Sequence, residues 1–179
     1  LLALLINATC YRQACYSYLF YLILIVLLIV ESALGDRHLI ERALDAFPYM
    51  QEIRWADSNE SLIANLVAPV DCHYAKYHDD PTEDTVPDLI LLSLDLPNDG
   101  AWDMLQYLKA HRQFSSIPVV ALGQSPKVAE VQRSYDLGAT SFIPKPKSEK
   151  GWVDLIDVLG QYWFTTVELP KAPMHRKKL

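Results

Sequence analysis

The amino-acid sequence predicts an α/β domain in which five strands alternate with five helices, (βα)5, building a doubly wound five-stranded parallel sheet. Three observations predict it. Short apolar runs recur at 25–30 (IVLLIV), 88–94 (DLILLSL) and 117–122 (IPVVAL), the pattern of strands buried on both faces. Amphipathic stretches of helical period separate them. Turn-forming residues punctuate the boundaries, at Pro48, at Pro97-Asn98-Asp99-Gly100 and at Gly138.

The elements follow in order. After the strand at 25–30 and the break at Glu31-Ser32, Asp36 signals a helix whose apolar stripe is Leu39, Ile40, Ala43, Leu44 and Phe47, ended by Pro48. A second strand at 52–56 (EIRWA) leads to Asp57-Ser58-Asn59, good N-cap residues for a short helix over 60–67. Residues 71–87 read as a long polar loop. The third strand, 88–94, stops before Pro97 and opens a helix over 101–111. The fourth, 117–122, is followed by a helix over 127–137 that Gly138 closes as a C′ residue. A short strand at 140–143 and a final amphipathic helix over 148–163 complete the set, with Trp152, Leu155, Ile156 and Leu159 on one face.

Composition narrows the function classes. The 179-residue chain is 51% hydrophobic and 21% charged, with a formal net charge of −6. That balance argues against a nucleic-acid surface, which neutralises phosphates with lysine and arginine. The tail His175-Arg176-Lys177-Lys178 is the one cationic cluster and reads as a solvated terminus. Cys10, Cys15 and Cys72 make an odd count without a CxxC pair, so neither a disulfide framework nor a metal site is indicated, and the natural setting is a reducing cytoplasm. His73 and His78, with Asp71, Asp79 and Asp80, have metal-ligand chemistry without a zinc-type spacing.

Residues 16–30 carry no charge, yet 25–30 is needed for the first strand, and what remains is short of the roughly 20 apolar residues of a membrane span. The chain begins with Leu, as a fragment or a product of an alternative start codon would. Residues 1–24 are therefore read as an apolar extension, with a membrane anchor and an extra packed helix as the other readings. The domain is placed at 25–164, and 165–179 is a C-terminal extension with a basic tail.

A doubly wound sheet places its functional crevice at the carboxyl ends of the strands. The residues there are Glu31-Ser32, Asp57, Ser93 to Asp95, Gly123 and Lys145. No GxxxxGK[ST] and no strand-following GxGxxG is present, so the phosphate-cradling nucleotide folds lose support. The segments PDLILLSLDLPNDG (87–100), IPVVALGQS (117–125), YDLGATSFIPKP (135–146) and QYWFTTVELP (161–170) resemble a response-regulator receiver domain of flavodoxin-like fold. They are most similar to the single-domain regulators that partner cyanobacterial phytochrome kinases, and the likeness spans about residues 25–170.

That resemblance implies a set of roles. In the family, two acids after the first strand and an aspartate ending the third hold Mg²⁺ while that aspartate takes a phosphoryl group from a histidine kinase. A hydroxyl residue ending the fourth strand and a lysine ending the fifth grip the phosphoryl group, and an aromatic on the fifth strand rotates in response. Carried over, Glu31 keeps the first acidic position and Ser32 replaces the second. Ser93 stands at the phosphoacceptor position, Gly123 at the hydroxyl switch, Phe142 at the aromatic switch, and Lys145 is retained. The stretch from acceptor to Gly100 is one residue shorter than usual.

The resemblance thus implies a degenerate receiver module, not an enzyme, which works by protein–protein interaction and needs no cofactor. Glu31 and Lys145 are expected nearly to cancel, leaving a divalent metal little to gain. Lys145 is expected to pair with Glu31 or Ser93. The alternative is a competent receiver with Asp95 as a displaced acceptor, which alone would call for Mg²⁺. The expected partners are a sensor histidine kinase or other signalling protein, and a second copy of the chain. Consecutive Tyr162, Trp163 and Phe164 cannot all face one core, so the last helix and the extension are expected to form the homodimer surface.

Overall fold

Each of the five strands of the central sheet sends successive side chains to opposite faces, and both faces are covered by helices. The computed structural model describes residues 25–45, 51–66, 68–69 and 84–170. Its strands are β1 (Ile25–Val30), β2 (Gln51–Ala56), β3 (Leu89–Ser93), β4 (Val119–Gly123) and β5 (Ser141–Pro144). The helices are α1 (Leu34–Asp45), α2 (Asn59–Leu66), α3 (Gly100–Ala110), α4 (Val128–Asp136) and α5 (Glu149–Gly160). All sheet pairings are parallel, in the order β2-β1-β3-β4-β5. The expected α/β class and doubly wound (βα)5 order are both present.

Side-chain alternation explains why the runs are continuously apolar. Leu28, Val30, Ile90, Leu92, Val119 and Ala121 face one core with Leu62, Leu66, Leu105 and Leu108 of α2 and α3. Their neighbours Leu27, Ile29, Leu89, Leu91, Val120 and Leu122 face a second core with Ile40, Leu44, Trp152 and Ile156 of α1 and α5. A polar residue anywhere in these runs would be buried, so β1, β3 and β4 are buried along their whole length.

Several boundaries differ from expectation, each for a local reason. α1 starts at Leu34, before Asp36, because Ala33 O accepts the first helical bond from Arg37 N (3.0 Å). Asp88 lies outside β3 and clamps β1 instead: its Oδ2 accepts from Val26 N (2.8 Å) and its own N donates to Val26 O (2.8 Å). β4 runs on to Gly123, whose carbonyl takes the Lys145 N–H at 2.8 Å. Within the polar stretch after α2, Ala68–Pro69 and Asp84–Thr85 form a short antiparallel ladder. The readings placed on residues 1–24, Phe47, Pro48, Val67, 70–83 (Cys72, His73 and His78 among them) and 171–179 lie outside the described residues. Among the described residues, no helix is long and apolar enough to cross a membrane.

The last helix also changes character. α5 ends at Gly160 and passes into a widened π-helical turn, Gln161–Thr166. There the hydroxyls of Thr165 and Thr166 both donate to Gln161 O, at 2.5 and 2.8 Å, diverting the carbonyl from an ordinary i→i+4 bond. The turn brings Trp163 into the second core, with Phe164, Val167 and Leu169 packed against it, while Tyr162 stays 51% exposed. One of the three aromatics faces outward, as expected. Of the extension's described residues, Val167 and Leu169 pack against that core, while Thr165, Thr166, Glu168 and Pro170 are exposed. Trp163→Ala is therefore expected to lower stability by about 3 kcal/mol, the usual cost of truncating a buried aromatic. A urea titration followed by circular dichroism should show an earlier midpoint without a change in slope.

Candidate functional site

The sheet's order reverses between β1 and β3, and the crevice at their carboxyl ends holds the expected residues. Glu31 follows β1 directly and its N–H continues the ladder to Ala56 O at 2.9 Å, so its side chain is held inward at 1% exposure. Its Oε1 accepts from Ala33 N (2.8 Å) and its Oε2 from Lys145 Nζ (2.7 Å). Lys145 is delivered from the opposite side by β5 and is itself 5% exposed.

Lys145 has two further partners. Asp36 Oδ2 and Asp95 Oδ2 each lie 2.9 Å from its Nζ. An ammonium carries three N–H donors, and here each has one carboxylate. Burial alone would push the Lys145 pKa down, but the hydrogen bonds to Glu31, Asp95 and Asp36 outweigh it and raise it well above the ordinary lysine value. The expectation that Glu31 and Lys145 nearly cancel is thereby corrected. Three carboxylates face one ammonium, a formal excess of two negative charges.

Both additional acids are placed by chain geometry. Asp36 was taken as a helix-start signal, and the earlier start of α1 sets it in the first turn, against the end of β1. Asp95, the alternative acceptor, lies two residues beyond Ser93. β3 ends at Ser93, the Asp95 N–H reaches back to Ser93 Oγ at 3.3 Å, and the turn swings the Asp95 carboxylate over the crevice, leaving it 33% exposed. An acid in the first turn after β1 was the sequence signal for Asp36; for Asp95 there was none beyond its distance from Ser93.

Ser93 is completely buried. Lys145 spends its three donors on carboxylates, so of the two partners expected for it Glu31 is found and Ser93 is not. Ser32 is half-buried and brings no carboxylate. Asp57 does not join the cluster: its Oδ1 accepts from Ser61 Oγ (3.0 Å) at the start of α2. Beyond Asp95 the shortened loop turns through Asn98 (φ 58°) and Asp99 (φ 55°), two successive left-handed residues before α3. Asn and Asp tolerate that region better than most side chains. A groove lined by Leu94, Asp95, Asp99, Trp102, Glu130 and Arg133 adjoins the cluster, and the Arg133 guanidinium lies 4.4 Å from the Trp102 ring.

These residues do not fit a divalent cation as they stand. Both Glu31 oxygens are engaged and one oxygen each of Asp36 and Asp95 is held by the ammonium, which leaves two carboxylate oxygens for an ion that gathers about six. Among the described residues, no group of three or more His, Cys, Asp or Glu side chains is disposed to hold a metal ion.

The cluster generates a stability prediction. Lys145→Met leaves buried Glu31 without its counter-charge and should cost about 3 kcal/mol, the low end for breaking a buried pair because Asp36 and Asp95 keep some solvent. The folded-state pKa of Lys145 is raised, so its contribution is complete below the unfolded lysine value of about 10.4 and declines only as pH rises through the higher folded value. The gap between wild type and Lys145→Met in urea midpoints should accordingly stay constant from pH 7 to about 10 and narrow above that.

Comparison with known proteins places this arrangement. No family model matches the chain. The response regulator Rcp1 of Synechocystis sp. (strain PCC 6803) is 27% identical over 147 residues, covering 82% of this chain and 94% of Rcp1. The solved structure of the phosphorylated cyanobacterial phytochrome response regulator RcpA is 25% identical, covers 83% of this chain and 100% of its own, and superposes with a TM-score of 0.69. The structure of the bacteriophytochrome response regulator AtBRR is 30% identical over 77% of this chain and 94% of its own, with a TM-score of 0.56. With a parallel 2-1-3-4-5 sheet and a lysine–carboxylate cluster at its switch point, the chain belongs to the response regulators and is a receiver module of two-component signalling.

Proposed function

We propose that this module is a pseudo-receiver, which signals by binding a partner protein and carries no aspartyl phosphate. The observation that supports this reading most is Ser93, fully buried at the end of β3, where the family's acceptor aspartate is expected. A serine hydroxyl cannot form the labile acyl phosphate on which aspartyl transfer depends. Gly123 adds to it, since the end of β4 offers no hydroxyl to grip a phosphoryl group. Ser32 removes an acid from the expected metal-binding set. One similar structure is described as the Mn²⁺-bound form of Rcp1 and another as phosphorylated RcpA. In this chain Lys145 pairs with three carboxylates, which favours a pocket assembled without metal. The partner class is a sensor histidine kinase or another signalling protein.

A second reading is favoured by Asp95. Its carboxylate is partly exposed and lies on Lys145 at 2.9 Å, so a displaced acceptor at Asp95, working with a divalent cation, is the competing assignment. Intact-mass measurement after incubation with acetyl phosphate and Mg²⁺ separates the two. The pseudo-receiver predicts an unchanged mass. A gain of one phosphoryl group that disappears in Asp95→Asn would establish the second reading instead.

A second copy of the chain remains a proposed partner, through a smaller surface than first expected. With Trp163 and Phe164 turned to the core, the outward apolar positions on the last helix are Val153, Val158 and Tyr162, exposed by 36, 62 and 51%. Val158 and Tyr162 are four residues apart and share a face. Sedimentation equilibrium at tens of micromolar is expected to give a dimer for the intact chain and a monomer for Val158→Ser/Tyr162→Ser. A monomeric intact chain, or a dimer that survives both substitutions, would remove the proposal.

A further inference from the structure

Gly123 matters for what lies over it rather than for its backbone. A Cβ built on Gly123 would stand 2.7 Å from Phe142 Cζ and 2.9 Å from Phe142 Cε2, with Leu94 Cδ1 next at 3.7 Å. The Phe142 ring occupies the volume that any larger residue at 123 would need. The register prepares this seat. Phe142 pairs with Ala121, and Ala121 and Gly123 lie two apart on the same face of β4, so two small residues make a trough along which the ring lies. Within it, the half-buried ring packs on the core that α2 and α3 cover, as do Leu94 and Leu137.

The same ring bears on the position of α4. Of that helix only Ser134 is buried, so its own side chains anchor it weakly. Two further contacts come from around Phe142: Leu137, just beyond the helix, packs on the same core, and the Tyr135 hydroxyl accepts from the Phe142 N–H at 3.2 Å. The Arg133 guanidinium over Trp102 of α3 is a third tie. A ring swung out of the trough would leave a void beside Gly123 and loosen the strand position that holds Tyr135.

From this geometry we infer that Gly123 and Phe142 form a steric interlock that keeps the ring inward and holds the face made by α4 and β5 in one conformation. This deepens the proposal of a pseudo-receiver and rests on it for its regulatory meaning: the module would present a permanently set face to its partner. The interlock itself is a packing statement and can be tested apart from phosphorylation.

The test is a double-mutant cycle combined with a probe on the ring. Gly123→Ala, Phe142→Ala and the double variant are compared by urea midpoint. Gly123→Ala alone should lower the midpoint, because the new methyl expels the ring. In the Phe142→Ala background the same change should leave the midpoint equal or higher, since the space is then free and alanine suits a strand better than glycine. If Gly123→Ala alone does not fold, the comparison of Phe142→Ala with the double variant still decides. An equal loss from Gly123→Ala in both backgrounds, or a lower midpoint for the double variant than for Phe142→Ala, would overturn the interlock. In parallel, 4-fluorophenylalanine placed at residue 142 should give one ¹⁹F resonance shielded from solvent in the otherwise wild-type chain, and a solvent-accessible one in Gly123→Ala. Two exchanging resonances in the former would refute the single conformation. Acetyl phosphate with Mg²⁺ in the same tube separates the two ideas: a phosphorylated chain with an intact cycle defeats the pseudo-receiver alone, whereas an unphosphorylated chain with no coupling defeats the interlock alone.

Discussion

The ammonium of Lys145 is the point on which the crevice depends. It receives Glu31 from the end of β1, Asp36 from the first turn of α1 and Asp95 from the turn after β3, while its own backbone N–H is bound to Gly123 at the end of β4. The stretch 31–36, the turn after β3 and the end of β4 are thereby held around one residue. Gathering three carboxylates within reach of each other in a poorly solvated site is unfavourable unless a positive charge sits among them. Here the chain supplies that charge itself. The consequence is a site in which each of the three acids has an oxygen on the same internal ammonium.

Around that centre, the departures from the receiver pattern fit together physically. Ser93 is small enough to be fully buried under the Asp95 turn, and its Oγ accepts the Asp95 N–H that shapes the turn. The shortened loop needs two left-handed residues in succession, and it has Asn98 and Asp99, the types best able to supply them. Gly123 leaves a space and Phe142 fills it. Ser93, the Asn98–Asp99 turn and Gly123 thus each support the local packing of the crevice.

The C-terminal segment shows the same preference for internal contacts. An aromatic triplet in sequence suggests a sticky surface, yet the π-helical turn rotates Trp163 and Phe164 onto the core shared by α1 and α5. Burying these rings against the parent domain needs no second molecule and no loss of translational freedom. Among the described residues there, Val153, Val158 and Tyr162 are the large apolar side chains left to face outward.

The fold was largely legible in the sequence because burial on both faces forces an apolar residue at every position of β1 and nearly every position of β3 and β4, and no other element type requires so short and unbroken a run. The positions of Glu31, Ser93, Gly123 and Lys145 at the strand ends followed from the same pattern, whereas Phe142 was singled out by the family resemblance. What pattern could not supply was the company these residues keep. Whether Asp36 and Asp95 reach Lys145 turns on where α1 starts and where β3 stops, a matter of one or two residues and of hydrogen bonds accepted by Ala33 and Ser93. Whether Trp163 faces the core turns on how the last helix widens over Gln161–Thr166. Periodicity along the chain determines which face a residue takes, because side-chain direction is local. The meeting of three acids and one lysine is set by the closing of loops between distant segments, and only the tertiary structure decides it.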